Sequence, residues 1–494
     1  MPSVLNPNNL VRSQLCIDES KPTILLVTDS VAVHTGLAQL CRNIWGRIQK
    51  TGEFNIVQLG WWHEYPVEQA AWPLITTQKS PKNGALEPAD YYGHISLNKI
   101  LDVVKPQAIW VSSDPWMAVP LMARRQRISC PIIAYLAVDG GPLDLYPRTL
   151  SAGEDPGRVA PNQLGWHEVV HAANYVVPYG SYGYRVLTHF YPEANVCEPI
   201  PLGVDTKVFK YVSQDERDDL KQQLFGVGPD QRVFLSVSRN QMRKNLAYNF
   251  LALHFLRSGH YTVCQECGAF NLWHRDYATC TDIRPRSKCY KCGAGSMLPG
   301  APASTLHYYA HVPTDEMLQD SLRLVPLMQQ LDLMGAETSD CVFTNTKLRS
   351  THGVPVEEMA RYYAACDAFA MPSNEGFGLP FIEAMSTGTP VVALDYSAPP
   401  DFLRGAATLV PSEHAWCEPP TGYWRGLPDP HAWTQAIYET CMLTGEAREA
   451  ARQRARERAL EYDWDGIASR WHELVSQALS SSGPSLWTQP IIGV

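Results

Sequence analysis

Long apolar runs are missing from this chain. No window approaches the roughly 18 consecutive apolar residues of a membrane-spanning helix, so a soluble protein is expected and no membrane span is assigned. An apolar leader is missing too. Met1 to Lys21 holds Asp18 and Glu19 and no hydrophobic stretch, which argues against a secretory signal or an Arg-rich transit peptide and points to a cytoplasmic protein. Basic charge is in short supply: Lys and Arg total 41 against 50 Asp and Glu, a net charge of -9. The chain as a whole therefore offers no basic footprint for tight, non-specific binding to nucleic acid, while a local basic groove stays open. No internal repeat of solenoid period is visible, and nothing in the composition fixes an oligomeric state. The 13 cysteines are an odd number, five of them crowded between Cys264 and Cys292. In a reducing compartment that pattern argues against a disulfide framework and reads as one metal site plus buried thiols.

What is present is ample material for large cores: 494 residues, 45% hydrophobic and 18% charged, enough for two or three domains. Pro22 to Thr28 is a short continuous apolar run, as a parallel strand buried on both faces requires, and it leads through Gly36 into the helical periodicity of Leu37 to Ile48. Similar runs follow at Phe54–Leu59, Ala108–Val111, Ile132–Ala137 and Tyr175–Pro178. A second series begins at Val233–Val237 and continues through Thr305–Ala310, Ala368–Met371, Pro390–Leu394 and Ala407–Val410. Strands alternating with helix-length segments predict α/β domains with parallel sheets. Two such series predict two Rossmann-like, doubly wound domains. The expected organisation is a lead-in over 1–21, a first domain over 22–204, a second over 205–459, a helix over 460–479 and a tail over 480–494, with an insertion at 263–299.

The densest motif runs from Pro372 to Pro390. Glu375 and Glu383 stand eight positions apart, with Gly376, Phe377, Gly378 and Leu379 leading into a helix whose first turn accepts Pro380. Glycines let a backbone approach a ligand, and the free N–H groups of a helix start attract an anion. Here the chain resembles the retaining family-4 glycosyltransferases, whose signature is this Glu-x7-Glu segment. A second element, Ser236 to Asn245, follows a strand and carries Arg239, Arg243 and Lys244. In that family an Arg and a Lys about five residues apart clamp the donor diphosphate. Arg239 and Lys244 have this spacing, and Arg243 is able to take either place.

The resemblance implies a GT-B fold, two Rossmann-like domains facing a cleft, and transfer of a sugar from a nucleoside-diphosphate sugar. By resemblance Glu375 accepts from sugar hydroxyls, Glu383 from a ribose diol, and Gly376, Phe377, Gly378 and Leu379 lie against the donor. Gly36, in the Thr35-Gly36 turn, is expected over the donor phosphates. Asp139 stands where family members present a His or Asp beside the reacting sugar, and Asp114 is a candidate for the acceptor side or a helix cap. Asp463-Trp464-Asp465 has a metal-binding Asp-x-Asp spacing, but its place at a helix start reads as capping, so no catalytic metal is expected.

Cys264-Gln-Glu-Cys267 and Cys289-Tyr-Lys-Cys292 are separated by 21 residues, each pair followed by a glycine. Two such turns place four thiolates around a structural Zn2+ and resemble a zinc ribbon. His274 and Cys280 are spare ligand candidates. Arg284, Arg286, Lys288 and Lys291 with Trp273 make the insert locally basic and aromatic. The acceptor is a glycan or small-molecule hydroxyl by default. The alternative is a hydroxylated base in DNA, suggested by the insert and by likeness of Asp29–Asn43 and Ser238–Asn245 to phage-type transferases, which would place the protein in a host cytoplasm. A catalytically inactive fold that uses the ribbon as a nucleic-acid or protein binding module is the other reading.

Overall fold

A computed structural model describes residues 4–61, 71–76, 90, 92–144, 165–276, 281–313, 321–333, 341–343, 354–419 and 421–481. Cys280 and all but the first two residues of the expected tail lie outside them. The chain divides into two compact units. The first comprises Met1–Gly203, Glu418–Tyr423 and Trp464–Val494, and the second Val204–Cys417 and Trp424–Asp463.

In the first unit seven strands pair into one parallel sheet: β1 (Val4–Leu5), β2 (Thr23–Asp29), β3 (Asn55–Trp61), β4 (Leu74–Thr76), β5 (Ala108–Ser112), β6 (Ile132–Leu136) and β7 (Tyr175–Pro178). Their order is β1-β4-β3-β2-β5-β6-β7. The central strands are apolar because both faces are covered; every residue of β2, β5 and β6 is buried. The described part of the expected lead-in, from Val4 on, contributes to the sheet and core of this unit. Leu5, Leu10 and Leu15 are buried in the core, and β1 extends the sheet beside β4. The helix Trp464–Ser480 also belongs to this unit. Its Trp471 packs edge-on against Trp110 of β5 and Tyr135 of β6, at 5.8 and 4.6 Å between centroids.

In the second unit β8 (Arg232–Val237) leads to the helix Ala247–Ser258. Five short strands follow: β9 (Tyr261–Cys264), β10 (Phe270–Leu272), β11 (His274–Asp276), β12 (Thr281–Arg284) and β13 (Met297–Pro299). The main sheet resumes with β14 (Leu306–His311), β15 (Cys341–Phe343), β16 (Ala368–Met371), β17 (Val391–Asp395) and β18 (Thr408–Pro411), and a hairpin, β19 (His414–Cys417) and β20 (Trp424–Leu427), comes after it. The main sheet is parallel with order β15-β14-β8-β16-β17-β18. The chain thus adds strands on one side of β8 and then returns to its other side with β16. Such a reversal opens a crevice at the carboxyl ends of the two flanking strands. In the first unit the same reversal falls between β2 and β5.

Asp367 ties β8 to β16 at their amino ends. It is 3% exposed, and its carboxylate accepts the Val233 N–H at 2.8 Å, pairs with Lys221 at 3.0 Å and also meets Arg448. Lys221 is itself fully buried. Neutralising Asp367 would leave a buried ammonium without its charge partner, so Asp367→Asn is expected to cost about 3 kcal/mol. A fall in the urea midpoint, followed by circular dichroism, measures this.

Candidate functional site

The two loops that leave β8 and β16 meet at the reversal. After β8 the chain makes a single tight turn over Met242–Lys244, and Asn245 ends it in the left-handed conformation at φ 51°. After β16 come Pro372 to Gly378 and then the helix Leu379–Ser386. Gly378 caps that helix at φ 100°, and a Cβ there would lie 2.6 Å from the Phe381 ring and 3.3 Å from Glu375 Cγ. Only glycine satisfies both the backbone angle and the space.

The loops are joined by charge. Lys244 Nζ makes a short contact with Glu375 Oε1, and the Arg243 guanidinium lies 3.3 Å from Oε2 while donating to Asn374 O at 2.7 Å. Burial pushes the Glu375 carboxyl up, but the charges of Lys244 and Arg243 and a hydrogen bond from Lys244 outweigh it and hold the group at about 2. Two cations thus meet one carboxylate in the turn, next to the N-terminus of an eight-residue helix.

Two buried amides complete the joint. Asn245 Nδ2 donates to Pro372 O at 2.8 Å and to Gly426 O of β20 at 3.1 Å. Asn374 donates to Gly426 O at 3.1 Å, and its Oδ1 accepts the Gly426 N–H at 2.8 Å. Asn374 lies inside the Pro372–Pro390 motif, next to Glu375. Nothing local in the sequence signals it, because Gly426 lies 52 residues away. Asn245 carries a weak signal, since Asn is enriched at left-handed positions.

The other expected residues are placed as follows. Arg239 is exposed just beyond β8 and is not among the cations that meet Glu375. Gly376 and Leu379 are buried. The Phe377 ring is taken up by packing, stacked on Phe402 at 4.4 Å. Glu383 is 8% exposed, and its Oε2 accepts from Tyr363 Oη at 2.9 Å. Gly36 and Asp139 belong to the first unit. Gly36 opens the helix Gly36–Gln49, whose cap Thr35 accepts the Ala38 N–H and donates to Asp29 Oδ2 at 2.6 Å. Asp139 is half-buried beyond β6. Asp114 takes the N-cap position of Pro115–Met122 without a side-chain cap bond. Asp463 engages Thr206, and Asp465 pairs with Arg47 at 2.6 Å.

Cys264, Cys267, Cys289 and Cys292 cluster with all four sulfurs within 4.8 Å of one another. Cys264–Cys292 and Cys267–Cys289 are each 3.6 Å apart, against about 3.8 Å between sulfurs tetrahedrally bound to zinc at about 2.3 Å. The two turns repeat each other. Gly268 N–H donates to Cys264 O and Gly293 N–H to Cys289 O, both at 2.9 Å, and both glycines have positive φ. The N–H groups of Cys292 and Lys291 and the neighbouring thiols draw the Cys289 thiol down against burial, while hydrogen bonds among the same thiols push Cys292 up, so the four sulfurs share their protons as one set. An all-thiolate set of this size fits zinc. His274 lies outside the cluster.

Residues 330–438 match the family described as Glycosyl transferases group 1. Over 94% of this chain and 100% of its own, sucrose-phosphate synthase from Thermosynechococcus elongatus superposes with a TM-score of 0.62 at 17% identity. Anabaena HepE in complex with UDP-glucose superposes over 92% and 99% with a TM-score of 0.59 at 16% identity. The fold is the GT-B glycosyltransferase fold. In sequence the chain is 35% identical over 121 residues to D-inositol 3-phosphate glycosyltransferase of Corynebacterium urealyticum, 24% of this chain and 25% of that one. It is 32% identical over 135 residues to sulfoquinovosyl transferase SQD2 of Arabidopsis thaliana, 27% and 24%. The chain thus spans about a quarter of the length of the curated relatives it matches.

The depressed Glu375 group makes a prediction about acid stability. Its folded value lies below the unfolded one, so its contribution is present above the ordinary carboxylate range and is lost as pH falls from about 4.3 toward 2. Glu375→Gln should unfold more easily at neutral pH, by on the order of 3 kcal/mol, and lose less further stability than the unaltered protein between about pH 5 and pH 2. Urea titrations across that range measure both.

Proposed function

We propose that this chain is a nucleotide-sugar-dependent glycosyltransferase that moves a sugar to an acceptor hydroxyl with retention of anomeric configuration. The observation that carries the reading is the joint at the β8/β16 reversal: Lys244 and Arg243 on Glu375, beside the glycine-capped start of Leu379–Ser386. The partial family match and the GT-B fold support it.

In the proposed reaction the acceptor oxygen bonds to the anomeric carbon on the face from which the leaving group departs. The bond from that carbon to the diphosphate oxygen breaks, and its electron pair leaves with the nucleoside diphosphate. The acceptor proton passes to the departing phosphate, so neither an enzyme nucleophile nor a catalytic metal is required. Cations fixed where charge develops lower the barrier most. That role goes to Lys244 with Arg239 or Arg243, and backbone N–H groups from Gly376 to Leu379 add to it. Glu375 holds the cations in place and accepts from sugar hydroxyls, and Glu383 accepts from the ribose. Gly36 and Asp139 keep the donor-phosphate and reacting-sugar roles that the family resemblance gives them. Cys264, Cys267, Cys289 and Cys292 would hold a structural zinc, which crosslinks the two turns and, with four thiolates, has no open position for substrate.

The acceptor reading stays with a hydroxyl on a glycan or small molecule. Arg284, Arg286, Lys288 and Lys291 are exposed on the insert, but zinc held by four thiolates carries net negative charge, and these cations offset it. Duplex DNA at low salt is accordingly expected to bind weakly. Retention that weakens steeply with salt and is lost on replacing Arg284 and Arg286 would instead favour a base in DNA as acceptor.

Because HepE was solved with UDP-glucose, that sugar nucleotide heads a thermal-shift panel that also includes guanosine and adenosine diphosphate sugars. Specific donor binding must raise the melting temperature. Lys244→Ala is expected to lower kcat by roughly 100- to 1000-fold, while Glu383→Ala raises the donor KM. A panel without any shift, together with no slow hydrolysis of a sugar nucleotide, would sink the proposal in favour of an inactive fold.

A further inference from the structure

We propose that the cysteine-bearing insert braces the donor turn, and that Tyr290 is the positioning residue through which it does so. The inference rests on the zinc and donor readings above and adds a connection between them.

Tyr290 lies between Cys289 and Cys292, so a knuckle wrapped around a metal dictates where its side chain points. The ring stacks on His431 at 4.3 Å and 24°. Its backbone N–H donates to Asn271 Oδ1 at 2.8 Å. The insert grips His431 a second time, since the Leu272 N–H donates to His431 Nδ1 at 2.8 Å. Asp429 caps the helix Pro430–Cys441 by accepting the Ala432 N–H at 2.8 Å.

Asp429 follows Gly426 by three residues, a span of at most about 10 Å, and Pro428 stiffens it. Gly426 is the residue that exchanges two hydrogen bonds with Asn374 and accepts a third from Asn245. Asn374 immediately precedes Glu375. The path from knuckle to carboxylate therefore runs from the ring stack on His431, back along the chain to Gly426, and through the buried hydrogen bonds between Gly426 and Asn374. The insert also meets the same helix through Gln435, whose Oε1 accepts the Phe270 N–H at 3.1 Å. That contact reaches the helix one turn beyond its start, whereas Tyr290 and Leu272 both meet His431, the second residue of the helix.

The test uses the full chain and reads hydrogen exchange of the backbone amides over 372–378 and 424–431, without any ligand. In Tyr290→Ala these amides should exchange about tenfold faster, while Tyr290→Phe, which keeps the ring on His431, should stay near the unaltered protein. Removing the metal with a chelator should speed the same amides, and added Zn2+ should slow them again. UDP, GDP and ADP, titrated separately, should bind Tyr290→Ala about fivefold more weakly wherever the unaltered protein binds. Unchanged exchange over 372–378 in Tyr290→Ala, with zinc kept or lost, overturns the brace. Should that variant fail to fold, unchanged exchange of the unaltered protein on metal removal overturns it equally. Faster exchange in a protein that binds none of the three nucleotides would refute the donor reading and uphold the brace.

Discussion

The Glu375 carboxylate, gripped by Lys244 and Arg243, is the contact on which the rest of the candidate site depends. Two loops leave the carboxyl ends of β8 and β16 where the order of the sheet reverses, and the sheet itself does not hold them together beyond Val237 and Met371. A buried carboxylate is costly by itself, and so is a buried ammonium. Each makes the other tolerable, which fixes the separation of the loops. The three side chains that hold the loops lie beside a helix N-terminus and are also the ones to which the proposed function assigns the donor diphosphate and sugar.

The amides of Asn245 and Asn374 give this ion pair its direction. An ion pair constrains distance but little orientation, whereas Gly426 exchanges backbone bonds with Asn374 and receives a further one from Asn245. β20 thereby acts as a third wall behind the two loops. The backbone of the Glu375 turn is pinned from the other side as well, where its N–H donates to Ser397 Oγ at 3.1 Å and its carbonyl accepts from Ala398. A turn so heavily bonded before any ligand arrives has little ordering entropy left to lose on binding.

How far these features were legible follows from the range of the interactions behind them. The buried parallel strands are announced by continuous apolar runs, and β7 and β16 fall on the residues the runs mark, Tyr175–Pro178 and Ala368–Met371. Strands of two or three residues, β1, β4 and β15, carry no such period and went unseen. Leu5, Leu10 and Leu15 looked like part of a polar lead because their spacing matches neither strand nor surface helix. The two Cys-x-x-Cys turns are local objects, so spacing alone brings their sulfurs together. Glu375 was legible beside its glycines, and Arg243 and Lys244 through their place after a strand and the family resemblance, but the meeting of Arg243 with Glu375 spans 132 residues and only the fold reveals it. Phe377 shows the opposite outcome, a motif residue whose ring the fold uses for packing on Phe402.

The place of the insert explains how a second chemistry is tolerated in such a sheet. It interrupts the crossover from the helix Ala247–Ser258 to β14, and a crossover needs only to return the chain in parallel, so added length there leaves the register of β8 with β14 intact. The insert brings little apolar mass to its cysteine end: Cys264, Ala269 and Cys289, with Ala294 and Met297 against them, form the whole cluster among the described residues. A module that small lacks the burial to fix two tight turns by hydrophobic packing, and the proposed zinc would supply what the core does not. Whatever leans on those turns inherits their dependence on the thiolates. Tyr290 leans on the second turn and stacks on His431, five residues past the Gly426 that stands behind the Glu375 joint.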